Sequence, residues 1–186
     1  MPNNATNVSA GKPKVGGAIW RAPLSDTLTL PTDATTALDA EFVLLGYASD
    51  EGLVNTNTPD SETIKAWGGD PVLSIMNEKQ DEFKVTLIEV LRKDVLAAVY
   101  GSNNVTGDLQ SGITVKANSD EPEEAAWVFE LALRGGVLKR IVIPDAKMTE
   151  LDDIEYTDED AVGYAMTLLA MADSAGQTHY EYIKAA

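Results

Sequence analysis

The stretch WVFELALRGGVLKRIVI, residues 127–143, decides the fold class. Large apolar residues recur at every second position over 127–133, which places Trp127, Phe129, Leu131 and Leu133 on one face, as expected of a strand packed on a core. Arg134-Gly135-Gly136 is a turn signal, and a second strand candidate, residues 137–143, follows it. This stretch therefore predicts two consecutive strands, with the first one packing Trp127 into a core.

Similar strand signals recur at regular spacing along the rest of the chain, which is typical of sandwiches and barrels. Pro144-Asp145 is expected to end the second strand, and Asn77–Gln80 is expected to turn a hairpin. One helix is predicted over about residues 91–100, because apolar residues recur there every four positions before Gly101. The further strands are predicted at 42–45, 72–76, 83–87, 113–116, 147–156, 162–168 and 178–183. The pattern predicts a mostly β protein with one flanking α-helix.

The length favours one domain preceded by an arm. The chain has 186 residues, enough to bury a core without metal or disulfide staples. Residues 1–40 are rich in Asn, Thr, Pro, Gly and Ala, which predicts either a disordered tail or an arm that orders on a neighbour. Residues 41–186 are predicted to form the single domain. Within it, residues 48–65 read as a long loop or a two-stranded flap.

The charge is the largest departure from an ordinary composition. There are 30 Asp and Glu residues against 14 Lys and Arg, giving a net charge of −16. Such a surface repels phosphate backbones and anionic lipids, which argues against tight nucleic-acid or membrane binding. Residues 119–160 alone hold 13 acidic and four basic residues. Cysteine is absent, and the sequence shows no secretory signal and no apolar span of membrane length.

Catalytic and cofactor motifs are not found in the sequence. The only histidine, His179, has no nucleophile motif to serve, and no phosphate-binding glycine motif is present. Four acidic residues in one segment are weak candidates for a calcium site, although their spacing does not match an EF-hand: Asp152, Asp153, Glu155 and Asp158. We expect no enzyme activity, no cofactor and no zinc.

Several segments together resemble the major tail tube protein of long-tailed, non-contractile bacteriophages of the siphovirus type. The resemblance covers nearly the whole chain from about residue 15, through the order and spacing of its segments. These are GAIWRAP (17–23), DAEFVLLGY (39–47), DEGL (50–53), IKAWGG (64–69), residues 83–89, the helix ending VYG (99–101), VIPDAK (142–147) and residues 156–164.

The resemblance implies a β-sandwich or half-barrel that assembles as hexameric rings stacked into a hollow tube. It implies that the N-terminal arm and the 48–65 loop bridge subunits and rings, and that double-stranded DNA passes through the channel without specific binding. Tape-measure and tail-terminator proteins would be partners, in a virion tail made in the host cytoplasm. The residues matching the arm and loop are Ile19, Trp20, Leu24, Leu28, Leu53, Val54 and Ile64.

An acidic channel would keep DNA off the wall, because a basic lining binds DNA through counterion release. The lumen or surface candidates are Glu123, Glu124, Glu150, Asp152, Asp153 and Glu155. Two other functions stay open from the sequence. One is the tube of a contractile injection or secretion system, and the other is a monomeric β-sandwich module that binds carbohydrate or protein through Trp20, Trp67 or Trp127.

Overall fold

The computed structural model describes residues 3–185 and confirms a mostly β fold, with 47% of the chain in strands and 9% in helices. Within the described residues there are eleven strands and one α-helix, α1 (Lys93–Tyr100). Short 3-10 helices occupy Ala5–Asn7, Ser102–Asn104 and Arg134–Gly136. The strands are β1 (Lys12–Pro13), β2 (Ile19–Pro23), β3 (Val43–Leu44), β4 (Ala48–Lys65), β5 (Pro71–Leu87), β6 (Val105–Asp108), β7 (Gly112–Val115), β8 (Ala125–Ala132), β9 (Leu138–Leu151), β10 (Tyr164–Ala170) and β11 (Tyr180–Lys184).

Nine strands form one antiparallel sheet whose main order is β3-β2-β8-β9-β10-β5-β4. β1 pairs with β8, and β11 pairs with β9. β6 and β7 form a separate two-stranded sheet. The long strand β9 therefore has β8 on one edge, and has β11 and then β10 along the other.

Apolar side chains on both faces of the sheet are covered, which gives the sandwich-like arrangement. The larger cluster includes Phe83, Trp127 and Phe129, and α1 packs its buried Val95 and Val99 against it. A smaller cluster lies on the other face around Ala126, Val128 and Val142, where Leu28, Leu30, Leu38 and Phe42 of the segment between β2 and β3 contribute. Tyr180 and Tyr182 of β11 complete that second layer.

The helix begins two residues later than predicted and ends where the pattern placed it. Its buried residues are Val95, Leu96 and Val99, which lie on one side because residues three and four apart share a helix face. Gly101 has a φ of 90°, and its N–H donates to the carbonyl of Ala97. A residue with a Cβ rarely adopts that φ, which explains why the helix ends at glycine.

Two predicted breaks are absent, and each absence has a structural reason. Residues 77–80 lie inside β5 and do not form a turn, because the chain reverses at Ala66–Asp70 instead. Pro144 lies inside β9 and does not end it. It sits where the register with β8 shifts and where the other edge changes its partner from β11 to β10. A missing N–H is tolerated at such a gap in the ladder.

The segment that was expected to be an arm contributes a strand to the body. β2 pairs with β8, Ile19 is buried in the larger cluster and Trp20 packs against the smaller one. Leu28 also packs there, whereas Leu24 is exposed. This differs from the expectation of an arm without a local core. β1 also pairs with β8, and the backbone of Lys14 and Ala18 bonds to Glu130, so a free arm can include only residues before β1.

One buried ion pair joins the sheet to the covering segment. Arg140 and Glu130 face each other across β9 and β8, and the Arg140 Nη2 lies 2.6 Å from Glu130 Oε1. Arg140 Nη1 also donates to the carbonyl of Asp33 at 2.7 Å, and the Lys14 ammonium lies 2.9 Å from Glu130 Oε1. Removing one partner of a buried pair leaves the other charge uncompensated, which is costly.

We expect Arg140→Ala to lower the free energy of unfolding by about 3 kcal/mol, because Glu130 would keep only the half-exposed Lys14 as a partner. Urea denaturation followed by far-ultraviolet circular dichroism measures this loss. Lys139→Ala is the matched control, since Lys139 pairs with the exposed Glu181 and such pairs contribute about 0.5 kcal/mol. Equal losses for the two variants would contradict this account of the core.

Candidate functional site

The most distinctive surface is a hairpin formed by β4 and β5 that projects from the sheet. The lower part of β5, residues 82–87, pairs with β10 on one side and β4 on the other. Above it, β4 and β5 pair only with each other, and every residue from Val54 to Gln80 is exposed. Residues 71–80 rise by about 3.3 Å each, so the hairpin extends roughly 30 Å beyond the sheet.

The distal part of the hairpin is apolar on both of its faces. Residues opposite each other in register share a face, which places Ile64 beside Leu73. Ile75 lies two residues from Leu73 on that face, and Val72 and Met76 point to the other one. All five side chains are exposed. Contiguous exposed apolar surface of this kind marks an interaction site in a soluble protein.

Trp67 lies at the hairpin tip and is fully exposed. The turn is closed by Ala66 N–H donating to the carbonyl of Asp70 at 2.8 Å and by Gly69 N–H donating to the carbonyl of Ala66 at 2.9 Å. Gly68 and Gly69 have φ values of 114° and 97°, which glycine adopts without strain. The turn therefore presents a large aromatic side chain at the furthest point from the core.

The proximal part of the hairpin is polar and acidic. Asp60 lies directly opposite Glu78 in the register, an arrangement that destabilises a strand pair through charge repulsion. The outer edge of β4 has no strand partner among the described residues. An unpaired edge of this length is a template for another chain unless charges protect it.

The hairpin is anchored at its root by a buried carboxylate. Asp81 is 2% exposed and accepts hydrogen bonds from Asn55 Nδ2 at 2.8 Å and from Thr178 Oγ1 at 2.5 Å. The Nδ1 of His179 lies 2.5 Å from the same carboxylate. Burial raises the pKa of Asp81, but the bonds from Thr178, Asn55 and His179 outweigh burial and lower that pKa below its ordinary value of 3.8.

The three residues predicted for the inter-subunit loop lie in two different places, one in the body of the domain and two on the hairpin. Leu53 is half-buried against the larger cluster, so it belongs to the body. Val54 and Ile64 are exposed on the hairpin. Residues 48–65 form one long strand with bulges, whose partner β5 lies outside this range, so they are neither a loop nor a two-stranded flap of their own. Whether these residues contact another subunit stays a prediction.

The predicted acidic candidates do not form one patch of equivalent groups. Glu123 is half-buried and accepts bonds from Ser102 and Arg21, and these lower its pKa even though burial, the largest influence, raises it. Asp152 pairs with Lys84 at 2.8 Å. Glu150 lies beside Thr167, while Glu124, Asp153 and Glu155 are exposed. Glu124 also raises the pKa of the partly buried Asp145, whose burial is the larger cause.

Metal and membrane sites gain no support from the geometry. Within residues 3–185, no three His, Cys, Asp or Glu side chains are grouped so that they could hold a metal ion, and this includes Asp152, Asp153, Glu155 and Asp158. In the same part of the chain, no helix has the length and apolarity needed to cross a membrane. Trp127 is buried in the core, so it offers no binding platform.

Two parts of the site were not predicted from the sequence. Residues 72–76 were predicted as a strand that turns at 77–80, which gave no indication that this strand projects from the sheet. His179 was considered only as a candidate catalytic residue, and Asp81 was not identified. One available signal was the Gly68-Gly69 pair after Trp67, which marks the tip of a hairpin centred on that turn.

The lowered pKa of Asp81 predicts a pH-dependent contribution to stability. A group with a lowered folded-state pKa adds stability that is fully present above its ordinary pKa and is lost as pH falls through the folded value. We expect the unfolding free energy of the wild type to fall more between about pH 6 and about pH 3 than that of Asp81→Asn, measured by urea denaturation. The other carboxylates titrate in both proteins, so equal losses would contradict the lowered pKa of Asp81.

The comparison with protein families agrees with this geometry. The family described as phage tail tube protein matches the chain over residues 1–186. No curated protein sequence matches the chain. The mostly β fold with one helix is consistent with that family, which is a family of structural proteins. The match covers the whole chain, and the chain therefore belongs to the phage tail tube protein family.

Proposed function

We propose that the chain assembles with copies of itself into stacked hexameric rings that form the tail tube of a siphovirus-type phage. The observation that carries this proposal is the projecting hairpin, whose distal part exposes apolar residues on both faces. The contact is heterologous, because a hairpin from one copy meets a different surface of the next copy. Heterologous contacts build rings and open stacks.

The energetics favour contact between many copies. Covering a partly exposed aliphatic side chain contributes on the order of 1 kcal/mol. Five such side chains and Trp67 lie on the distal part of each hairpin, so one contact is modest once the cost of association is included. A subunit held by several neighbours gains from all of its contacts together, because later contacts form within an existing assembly. This favours a tube over an isolated dimer.

The acidity supports a role as a conduit for double-stranded DNA. The net charge of −16 gives a wall that releases no counterions from DNA and therefore does not bind it. Asp153 and Glu155 are our first candidates for the lumen, because both are exposed and neither pairs with a cation among the described residues. Glu150 and Asp152 lie nearby on the same strand end and its continuation.

The other tail proteins are proposed as partners from the family membership. A tape-measure protein would set the length of the tube and a terminator would close it, in a virion tail assembled in the host cytoplasm. The tube of a contractile or secretion system is the alternative assembly, and a projecting hairpin would serve either kind of tube. Co-purification of a sheath protein would favour that alternative.

A monomeric binding module is the second candidate function, and Trp67 is the observation that favours it. Exposed tryptophans stack on sugar rings or insert into protein pockets. In a binding module, Trp67 would be covered by the ligand while the protein stays monomeric. In a tube, Trp67 would be covered by another copy.

We expect Ile75→Asp to reduce the yield of tubes by at least about tenfold at a fixed protein concentration, since a 1.4 kcal/mol loss per contact is tenfold. Ile75 is 45% exposed in the single chain, so the unfolding midpoint should change little. Negative-stain electron microscopy and sedimentation measure the yield.

Leu109→Asp is the matched control for Ile75→Asp. Leu109 is 65% exposed and lies in the turn between β6 and β7, away from the hairpin. It introduces the same charge on a similarly exposed apolar position, and tube yield should stay at the wild-type level. Equal yields for the two variants would contradict the role of the hairpin.

We expect the emission of Trp67 to move to shorter wavelength on assembly, because the indole leaves water. The contribution of Trp67 is the difference between wild type and Trp67→Phe, which removes the signal of the buried Trp127 and the half-buried Trp20. A red-shifted Trp67 spectrum in both monomer and tube would show that the tip stays in solvent and would overturn this part of the proposal. A shift in the monomer on adding glycans would favour the binding module.

A further inference from the structure

The root of the hairpin is tied to the C-terminal segment at one point. Thr178 and His179 directly precede β11, and both contact Asp81 of β5. Asn55 of β4 donates to Asp81 and also to the carbonyl of Glu82 at 3.1 Å. One carboxylate therefore connects both strands of the hairpin to a segment that is distant in sequence.

Asp81 lies at the point along β5 where the residues change from buried to exposed. Phe83, Val85 and Leu87 are buried on the core side of β5, and Asp81 is the next residue on that side. Every residue from Val54 to Gln80 is exposed. Asp81 is thus the last buried residue of β5 before the free part of the hairpin.

The hydrogen bond between Asp81 and His179 has a defined donor and a defined acceptor. The pKa of Asp81 is lowered, so the carboxylate is ionised near neutral pH and only accepts hydrogen bonds. Nδ1 of His179 therefore carries the hydrogen in this contact. The ring of His179 also packs edge-on against Phe83, with 5.2 Å between the ring centres. Hydrogen bonding and packing together fix how β11 meets β5.

A buried carboxylate that loses its donors is expensive. The side chains that contact the Asp81 carboxylate are neutral Asn55 and Thr178, together with His179, which is the group whose charge acts on it. If the C-terminal segment moved away, the carboxylate would lose two of its three side-chain partners. The hairpin root and the C-terminal segment are therefore favoured in one relative arrangement.

We propose that Asp81 and His179 are positioning residues that hold the hairpin in the orientation in which it meets another copy. The part of this proposal that concerns assembly rests on the proposed function. A hairpin fixed at its root loses less conformational freedom on docking, and such preorganisation strengthens binding without adding contacts. The two residues act through the root and make no contact with the other copy.

The test uses four variants of the full chain: Asp81→Asn, His179→Ala, His179→Asn and Gln177→Ala. His179→Ala removes the donor, whereas His179→Asn keeps an amide N–H at the position of Nδ1. Gln177→Ala is the control, because the Gln177 side chain is exposed and its side-chain bond is to the carbonyl of Ala175. Hydrogen exchange on unassembled protein reports the mobility of the root, and light scattering reports the rate of assembly.

We expect His179→Ala and Asp81→Asn to speed amide exchange at residues 55–57 and 79–82 by about tenfold or more. Exchange in β8 and β9 should stay unchanged, and assembly should slow. His179→Asn should restore both exchange and assembly toward wild type, and Gln177→Ala should match wild type. If Asp81→Asn fails to fold, the two His179 variants decide the result.

Three outcomes would overturn the proposal: unchanged root exchange in His179→Ala, an equal rise across the whole chain, or a mobile root with normal assembly. A merely structural role predicts the equal rise and no rescue by His179→Asn. If the wild type forms no tubes while the root still loosens in the variants, the proposed function fails and the anchoring of the root stands.

Discussion

The structure depends on strand β5, one half of which is buried in the core while the other half projects from the sheet. β5 buries Phe83, Val85 and Leu87 in the main cluster, and the same strand continues through Pro71–Gln80 without any partner except β4. A two-stranded ribbon is at most marginally stable by itself. The buried half of β5 supplies the stability for the exposed half, so a stable domain can present an extended apolar surface to other molecules.

The rest of the body can be understood as support for that strand. β9 and β10 hold the lower part of β5 in the sheet, and the Arg140–Glu130 pair ties β9 and β8 to the covering segment. α1 covers the main cluster on one face, while the segment between β2 and β3 covers the other. With both faces of the body covered, the hairpin presents a group of exposed apolar side chains on the described part of the chain.

Sequence reasoning found the body because its signals are local. Alternation over residues 127–133 identified β8, the spacing of Val95 and Val99 identified α1, and the strand predicted at 162–168 contains residues 164–168 of β10. The mostly β fold and the family were also confirmed. Local pattern suffices at these places because burial on one face dictates which residues alternate.

The hairpin and the contacts at its root were not predicted from the sequence, because they depend on residues that are distant along the chain. Asn77–Gln80 looks like a turn by polarity, yet it has no glycine or proline, and a strand exposed on both faces can be polar without turning. Pro144 could stay in a strand only because the neighbouring strands change there. The contact between Asp81 and His179 joins residues 98 positions apart. No pattern within one segment predicts such a pairing.

The most direct test of the central claim is a cryo-electron-microscopy reconstruction of tubes assembled from the purified chain. We predict that residues 61–76 lie between two copies, with Trp67 and Ile75 covered by a neighbour. The body should keep the fold described above, and the hairpin should remain attached at Asp81. A tube in which this hairpin points into solvent, with its apolar residues uncovered, would contradict the account.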